Sequence, residues 1–587
     1  MVSISTYFRY YKSRFQSLSP RKKFRVVALT LITTAFLIFI SSSSTAEIQN
    51  NIIYSNYTSW FKETFKHSSG GDSNKKDAIT DAAQQLEDLK NSKINFYKSI
   101  FKTLENNKPE IKLDNYEYDQ NAINLEDILS SKNLAQIGKF SVEFIDSIKK
   151  SHSQYLKQMP EFDENLLQYK GNGVIILGGG DQSWLALLST RMFRRMGGLL
   201  PVEVMLPRRN DYDIDRDICD VYLPQLNAKC VVITEKLGIE TQKEEELFFK
   251  DFNINDNAMH RSLALLTSNF ENVLLLESDN LLIKPLDESI FTSDPFKSNG
   301  LIVWPDFWKR ITSPFFYSAA GVHVENSRIR DSIIELPESK YHTSSKADSL
   351  FALHDRKGAI PDVANDSGEL MISKKTHWKT LLLAMYYNLY GVGYYYPLLG
   401  QTHNIAEKET FAAAATVLKN KYYQVKSSTE ANGFFYNGDF RGVGMLQFDP
   451  IVDYYSLNSF MDKYSESNPD KITAADLGNY LGESSERRSA LFFAVNFPRL
   501  LPIELLNDRF IVKENGDRIK MFGDTPYFNN NLEITLWRIM NDYICHYELH
   551  CSYLDKHFPM VKKNNKNDAR AGFCNDGMKQ HLLWLAG

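Results

Sequence analysis

Residues 171–207, GNGVIILGGGDQSWLALLSTRMFRRMGGLLPVEVMLP, constrain the fold more than any other stretch. Val174 to Leu177 is a short apolar run, and Gly178-Gly179-Gly180 permits a tight turn after it. Ser183 to Met196 is helical in pattern, Gly197-Gly198 ends that helix, and Val202 to Leu206 is a second apolar run. Strand, helix and strand at this spacing imply a right-handed parallel crossover. KCVVIT (229–234), VLLL (273–276) and LIVWPDFW (301–308) supply further strands, the last running into a polar-aromatic loop. Helices are predicted over Met259 to Asn269, 377–391 and 408–418. The expected class is α/β with a mostly parallel sheet.

Open α/β sheets bind ligands beyond the carboxyl ends of their strands. Three loops occupy such ends: Gly178 to Asp181, Glu277 to Asn280, and Trp304 to Trp308. The glycine turn is not a P-loop. It also lacks the G-x-G-x-x-G spacing, which speaks against a nicotinamide-dependent oxidoreductase. It reads either as a bare turn or as backbone, at Gly178 and Gly179, close to a nucleotide, with Asp181 facing base or ribose. In Glu277-Ser278-Asp279 the two carboxylates lie on alternate residues of an extended chain, so both can face one cation. Hard ions such as Mg²⁺ and Mn²⁺ prefer such oxygens and keep positions open for phosphate. A solvated loop with turn hydrogen bonds at Asp279-Asn280 is the alternative.

The net charge of −4 hides an asymmetry. Residues 1–46 carry Arg9, Lys12, Arg14, Arg21, Lys22, Lys23 and Arg25 and no acid, which leaves −11 on the remainder. A mildly acidic body excludes nucleic-acid binding as the main function. Val26 to Ile40 is uncharged and mainly apolar, and with Ser41 to Ala46 it reaches the ~20 residues of a spanning helix. Basic residues on its N-terminal side only keep the N-terminus cytosolic. An uncleaved signal anchor or a cleaved signal peptide satisfies this pattern. The expected layout is a cytosolic tail (1–25), an anchor (26–46), a partly helical stem (47–165) and a lumenal body (166–587). Five cysteines suit an oxidising lumen, with Cys219 and Cys230 near enough in sequence to pair and two of the last three able to do so. Asn56-Tyr57-Thr58 is a glycosylation sequon. Asn365-Asp366-Ser367 is another, in shielded surroundings.

Several blocks resemble the fungal Golgi α-mannosyltransferases that extend and branch mannan, the α-1,2 branch above all. They are WLALLSTRMFRRMGGLLPVEVMLP, LALLTSNFENVLLLESDN, DPFKSNGLIVWPDFWKR, SGELMISKKTHWKTLLLAMYYNLYG, YYYPLLGQ and EKETFAAAA, across about residues 165–510. The resemblance implies a GT-A-like nucleotide-sugar fold, GDP-mannose as donor, Mn²⁺, a mannan or N-glycan acceptor and retention of the α configuration. It also implies a single-pass type II protein of the Golgi membrane, in company with other mannosyltransferases. Asp279 then takes metal and pyrophosphate, Glu277 metal or ribose, and Ser278 and Arg261 line the donor. Glu369 stands where the family commonly has Gln, and a carboxylate there could stabilise an oxocarbenium-like centre. Lys408 and Glu409 match a D-K-E-T-F block and would organise sugar hydroxyls. Asp306, between Trp304 and Trp308, is a sugar-facing acid with aromatic walls. Each has a plainer alternative: a helix-start or strand-edge bond for Glu369, an adjacent ion pair for Lys408 and Glu409, a core Trp pair around Asp306.

Four departures from the family pattern stand out. The acid triplet opens with Glu, Glu407 replaces Asp, and Phe448 and Ala494 stand where His is usual. A late His often completes the metal shell in this fold, which leaves Asn496, Asp449 or His403 as substitutes. A family member with reduced or absent catalysis, serving as a mannan-binding or complex-organising subunit, is the second reading.

Overall fold

Along two adjacent strands, successive side chains enter different cores. Val174, Ile176, Leu274 and Leu276 pack in one apolar cluster; Ile175, Leu177, Val273 and Leu275 pack in the other. A sheet covered on both faces needs continuous apolar runs, which is why these strands do not alternate with polar residues. The computed structural model describes residues 73–587 except 115, 117, 120–126, 253–256, 402–405, 466–467, 509, 514, 524, 529–530 and 560–567. The basic segment, the apolar run 26–46, Asn56 and His403 lie outside the described residues. Among the described residues no helix is long and apolar enough to cross a membrane.

The strands are β1 (Asn172–Leu177), β2 (Val202–Leu206), β3 (Ala228–Val232), β4 (Asn272–Leu276), β5 (Asn280–Leu282) and β6 (Leu301–Pro305). Four two-residue strands follow, β7 (Ser327–Arg328), β8 (Arg330–Asp331), β9 (Ile334–Glu335) and β10 (His342–Thr343). Then come β11 (Asn365–Ser373), β12 (Tyr423–Gln424), β13 (Glu430–Tyr436), β14 (Asp439–Phe448) and β15 (Ala490–Ala494). The main sheet has the order β12-β6-β11-β4-β1-β2-β3. β1 runs parallel to β2 and β4, and β2 to β3, whereas β11 is antiparallel to both β4 and β6. The reversed strand has a functional consequence: β11 begins at the rim where β4 and β6 end. A second, four-stranded sheet has the order β13-β14-β15-β5. Because β5 starts at Asn280, the Glu277–Asp279 turn joins the two sheets.

The helices Asp181–Arg195, Asn257–Thr267, Trp378–Leu389 and Thr410–Leu418 fall close to where periodicity places them. The helices expected in the stem pack on the body. Residues from Ala83 to Gly587 form one compact unit. Tyr97, Ile100 and Leu104 on the helix Ser73–Asn106, and Phe144 and Ile148 on Val142–Gln158, are buried in its first core. Tyr386 and Tyr390 donate to the carbonyls of Asn107 and Leu104 at 2.7 and 3.0 Å. The apolar stripe of an amphipathic helix needs a covering surface, and here the body supplies it. Cys219–Cys230 and Cys545–Cys574 are disulfides, and Cys551 is free and buried.

Candidate active site

The Glu277-Ser278-Asp279 turn is held from three sides. Glu277 N donates to Gly368 O of β11 at 2.8 Å, and Asn280 N closes the turn on Glu277 O at 3.1 Å. Val495 N, just past β15, donates to Asp279 O at 3.0 Å. Ser189 Oγ on the first crossover helix reaches Asn280 O at 2.6 Å, and Asn280 Nδ2 reaches Gly368 O at 2.9 Å. Gly368 is required at this approach, because a Cβ there would lie 2.6 Å from Asn280 Nδ2. Two sheets and a helix therefore fix the acid pair before any ligand arrives.

Around this turn the rim gathers acids. Asp279, Asp306, Asp366 and Glu369 are all buried. Like charges in poor solvent disfavour ionisation. Burial, then the neighbouring Glu277, push Asp279 up to about 7, with Arg499 opposing. Burial, then Asp366, Glu277 and Asp279, raise Glu369 well above the ordinary carboxylate range. Among the described residues no hydrogen-bond donor reaches either oxygen of Glu369. The upward shift favours its protonated form, which can share a proton with Asp366.

Cations bracket the acids. Buried Arg261, on Asn257–Thr267, donates through Nη2 to Glu277 Oε1 at 2.7 Å. Lys408 Nζ lies 2.8 Å from Asp306 Oδ2 and 3.6 Å from Asp366 Oδ1, bridging the ends of β6 and β11. Arg499 Nε stands 3.5 Å from Asp279 Oδ2. The structure thus brings Glu277, Asp279, Arg261, Asp306, Lys408 and Glu369 to one rim. Asp366 and Arg499 belong with them and were missed. Asp366 was read only as the middle of a sequon, although two acids three residues apart around a glycine, entering a strand, were visible. Arg499 lies in the same FFAVNFPRLLP stretch in which the absent His was noted.

Other candidates sit elsewhere. Glu409 ion-pairs with buried Arg310 and accepts from Asn365 N at 2.9 Å, so it staples β11 instead of facing the cleft. Trp304 is buried and donates to Phe448 O at 2.8 Å, while Phe307 and Trp308 are exposed. Of the aromatic residues next to Asp306 in sequence, Phe307 and Trp308 are therefore the ones open to a ligand, and Trp304 is not. The glycine turn packs tightly on β2, where a Cβ on Gly178 would lie 2.7 Å from Val204 Cγ1. Ser552 Oγ donates to Gly180 O at 2.6 Å, and Asp181 pairs with Lys556, so the C-terminal segment roofs this turn. Of the substitutes for the late His, Asp449 accepts from Ile451 N and Val452 N and is engaged as a helix cap. Asn496 is exposed. Ala494 itself pairs with Asn280, beside Asp279, and offers no ligand.

Among the described residues no group of three or more His, Cys, Asp and Glu is arranged to hold a metal ion. The donor chemistry nonetheless fits a hard divalent cation. Asp279 and Glu277 present oxygens only, on a fixed turn, and each is touched by a guanidinium that marks where positive charge is favoured.

Residues 171–449 match a family model described as "Mannosyltransferase putative". The chain is 36% identical over 469 residues to the alpha-1,2-mannosyltransferase MNN21 of Candida albicans, covering 78% of this chain and 68% of that protein. It is 34% identical over 447 residues to the alpha-1,2-mannosyltransferase MNN2 of Saccharomyces cerevisiae, covering 73% of each. The X-ray structure of the mannosyltransferase Ktr4p from S. cerevisiae overlaps 56% of this chain and 84% of that one, at 10% identity and a TM-score of 0.28, too slight to carry an argument.

Proposed function

The chain belongs to this family of fungal mannosyltransferases that build mannan, and we propose that it transfers mannose from GDP-mannose to a hydroxyl of an α-mannoside chain, forming an α-1,2 linkage with retention. The family relation supports the reaction class. The observation that carries the site assignment is the acid pair at the junction of two sheets, half-buried Glu277 beside buried Asp279, whose carboxyl is pushed up to about 7.

Asp279 and Glu277 would hold Mn²⁺, whose charge neutralises the departing diphosphate. Arg261 fixes Glu277, and Arg499 adds a guanidinium suited to bidentate phosphate contact. Asp306 and Asp366, tied by Lys408, present acceptors to sugar hydroxyls at the end of β6 and the start of β11. Burial and the neighbouring acids favour a proton on Glu369 beside Asp366, and in that form this part of the rim can donate as well as accept. The donor-binding fold is of GT-A type on this reading, supported by the sheet carrying one reversed strand and by the acid pair at its rim. The protein would be a type II membrane protein of the Golgi, with residues 26–46 as anchor and a lumenal body, in complexes with other mannosyltransferases. Protein that stays with membranes after carbonate extraction supports the anchor; a soluble chain beginning near Glu47 contradicts it.

Ala494 beside the acid turn favours a second reading, in which catalysis is lost and mannan binding remains. One experiment separates the two. The detergent-solubilised full chain is given GDP-mannose, an α-mannoside and Mn²⁺, with EDTA as control. Mannose transfer abolished by EDTA supports the enzyme. Donor binding without transfer across several acceptors and metals supports the binding subunit. If neither GDP nor GDP-mannose shifts the melting temperature, the donor assignment fails.

A further inference from the structure

Phe307 and Trp308 follow Asp306 directly and are 47% and 56% exposed. Two backbone bonds tie this segment to the approach to β11: past the end of β6, Asp306 N donates to Ala364 O at 2.8 Å and Ala364 N to Trp308 O at 2.9 Å, closing a bend over residues 306–308. Phe307 N also donates to Asp306 Oδ1 at 2.7 Å, while Asp306 Oδ2 meets Lys408. A hydrogen-bonded backbone that leaves two large aromatic side chains in water keeps them for a ligand more readily than for the core.

Position identifies the ligand. In the sheet order β6-β11-β4, the end of β6 is two strands from the Glu277–Asp279 turn. Two interstrand steps place the doublet roughly 10 Å from that turn. Between them lie Asp366 and the Lys408 bridge. With the diphosphate at the acid pair, a separation of roughly 10 Å is on the scale of one donor hexose lying over Asp366 and Lys408. A second sugar then falls on the aromatic doublet. Flat faces stack on pyranose C–H surfaces, and the adjacent Asp306 and Lys408 hydrogen-bond hydroxyls. Exposed Lys309 and the buried acids beside it make the surroundings polar, as a sugar site requires and an apolar protein interface does not.

We propose that Phe307 and Trp308 form the acceptor subsite, a stacking platform for the pyranose that receives the transferred residue. The assignment rests on the transferase reading and deepens it. Trp308→Ala and Phe307→Ala are compared with Trp308→Phe, and with Phe435→Ala, which removes a still more exposed aromatic in the β13–β14 hairpin. The acceptor KM should rise about tenfold in the alanine variants, with the donor KM and the GDP-induced melting shift unchanged. Trp308→Phe should recover most of the loss, and Phe435→Ala should match the unaltered protein. Ligand-observed NMR with an α-linked oligomannoside reads the platform without turnover. Binding lost in Trp308→Ala supports it even if no transfer is found, in which case the transferase reading alone fails. An unchanged acceptor KM, or oligomannoside binding that ignores both alanine substitutions, overturns the platform, as does a folded, GDP-binding wild type that binds no oligomannoside.

Discussion

Arg499 Nε lies 3.5 Å from Asp279 Oδ2, and among the described residues it is the basic side chain that chiefly opposes the upward shift of that buried acid. The arginine is 40% exposed at its side chain, whereas Asp279 is buried. The contact is long and one partner is solvated, so it adds little to stability. A half-exposed guanidinium over a fixed acid is instead well placed to meet phosphate. Arg499→Ala should weaken GDP binding about tenfold by calorimetry and leave the melting temperature within error. Lys at this position should restore only part, because it lacks the planar fork. Unchanged GDP affinity would remove Arg499 from the donor site.

Asp279→Asn should lower mannose transfer on the order of 10²-fold or more while the fold persists. Its backbone bonds to Val495 and the turn at Asn280 do not depend on the carboxylate. The sign on stability is the informative part. The folded value of about 7 lies above the ordinary 3.8, so folding takes up a proton between those limits. The stabilising contribution is complete below pH 3.8 and lost as pH rises to about 7. Asparagine carries no such cost, so the variant should melt higher than wild type at pH 8 without metal. Near-normal turnover would end the metal and pyrophosphate role.

Glu369→Gln isolates the acid whose carboxyl is raised furthest by burial and its acidic neighbours among the rim groups. Its folded value lies well above the ordinary 4.5, so wild type loses stability with rising pH from about 4.5 upward. The slope for one proton is about 1.4 kcal/mol per pH unit. Glutamine keeps the shape and removes the titration. Urea unfolding at pH 5, 6, 7 and 8 should therefore show the variant gaining on wild type at each step. Parallel profiles would mean that Glu369 is ionised in the folded protein.

Glu409 separates architecture from chemistry. Removing one member of a buried pair strands the other charge, at a cost of about 3–5 kcal/mol. Glu409→Ala strands Arg310 and frees Asn365 N at the start of β11. It should unfold at markedly lower denaturant than wild type, in contrast to Asp279→Asn. A stable, inactive Glu409→Ala would return Glu409 to the sugar site.

What could be read from the sequence divides along physical lines. Val174 to Leu177 and Val273 to Leu276 announced themselves because doubly covered strands are apolar throughout. Glu277 and Asp279 were visible because two acids ending such a run break its pattern. Asp366 escaped because its place at the rim comes from the reversal of β11, which only pairing to β4 and β6 reveals. Glu409 looked like a site residue because its partner, Arg310, is 99 positions away in sequence. The helix Ser73–Asn106 read as stem because periodicity shows an apolar stripe but not what covers it. Trp304 and Trp308 were indistinguishable by type, and burial divided them.

The C-terminal segment, silent in sequence, makes the last prediction. Leu536, Trp537, Ile544, Tyr553 and Leu554 are buried in the same core as β1 and Trp184. Ser552 N donates to Asp215 Oδ1 at 2.7 Å and Ser552 Oγ to Gly180 O, binding this segment to the β1–β2 and β2–β3 connections. Cys545–Cys574 closes a loop within it. Burial of each large apolar side chain contributes about 1.5–3 kcal/mol, and the five together approach or exceed the whole stability of a typical domain, about 5–15 kcal/mol. A chain ending at residue 531 should fail to accumulate as folded protein and should expose apolar surface to a reporter dye. Lys556→Ala breaks only the exposed pair with Asp181 and should shift stability by less than about 1 kcal/mol. A truncated chain that folds and still binds GDP would show that the roof over the glycine turn is dispensable to both.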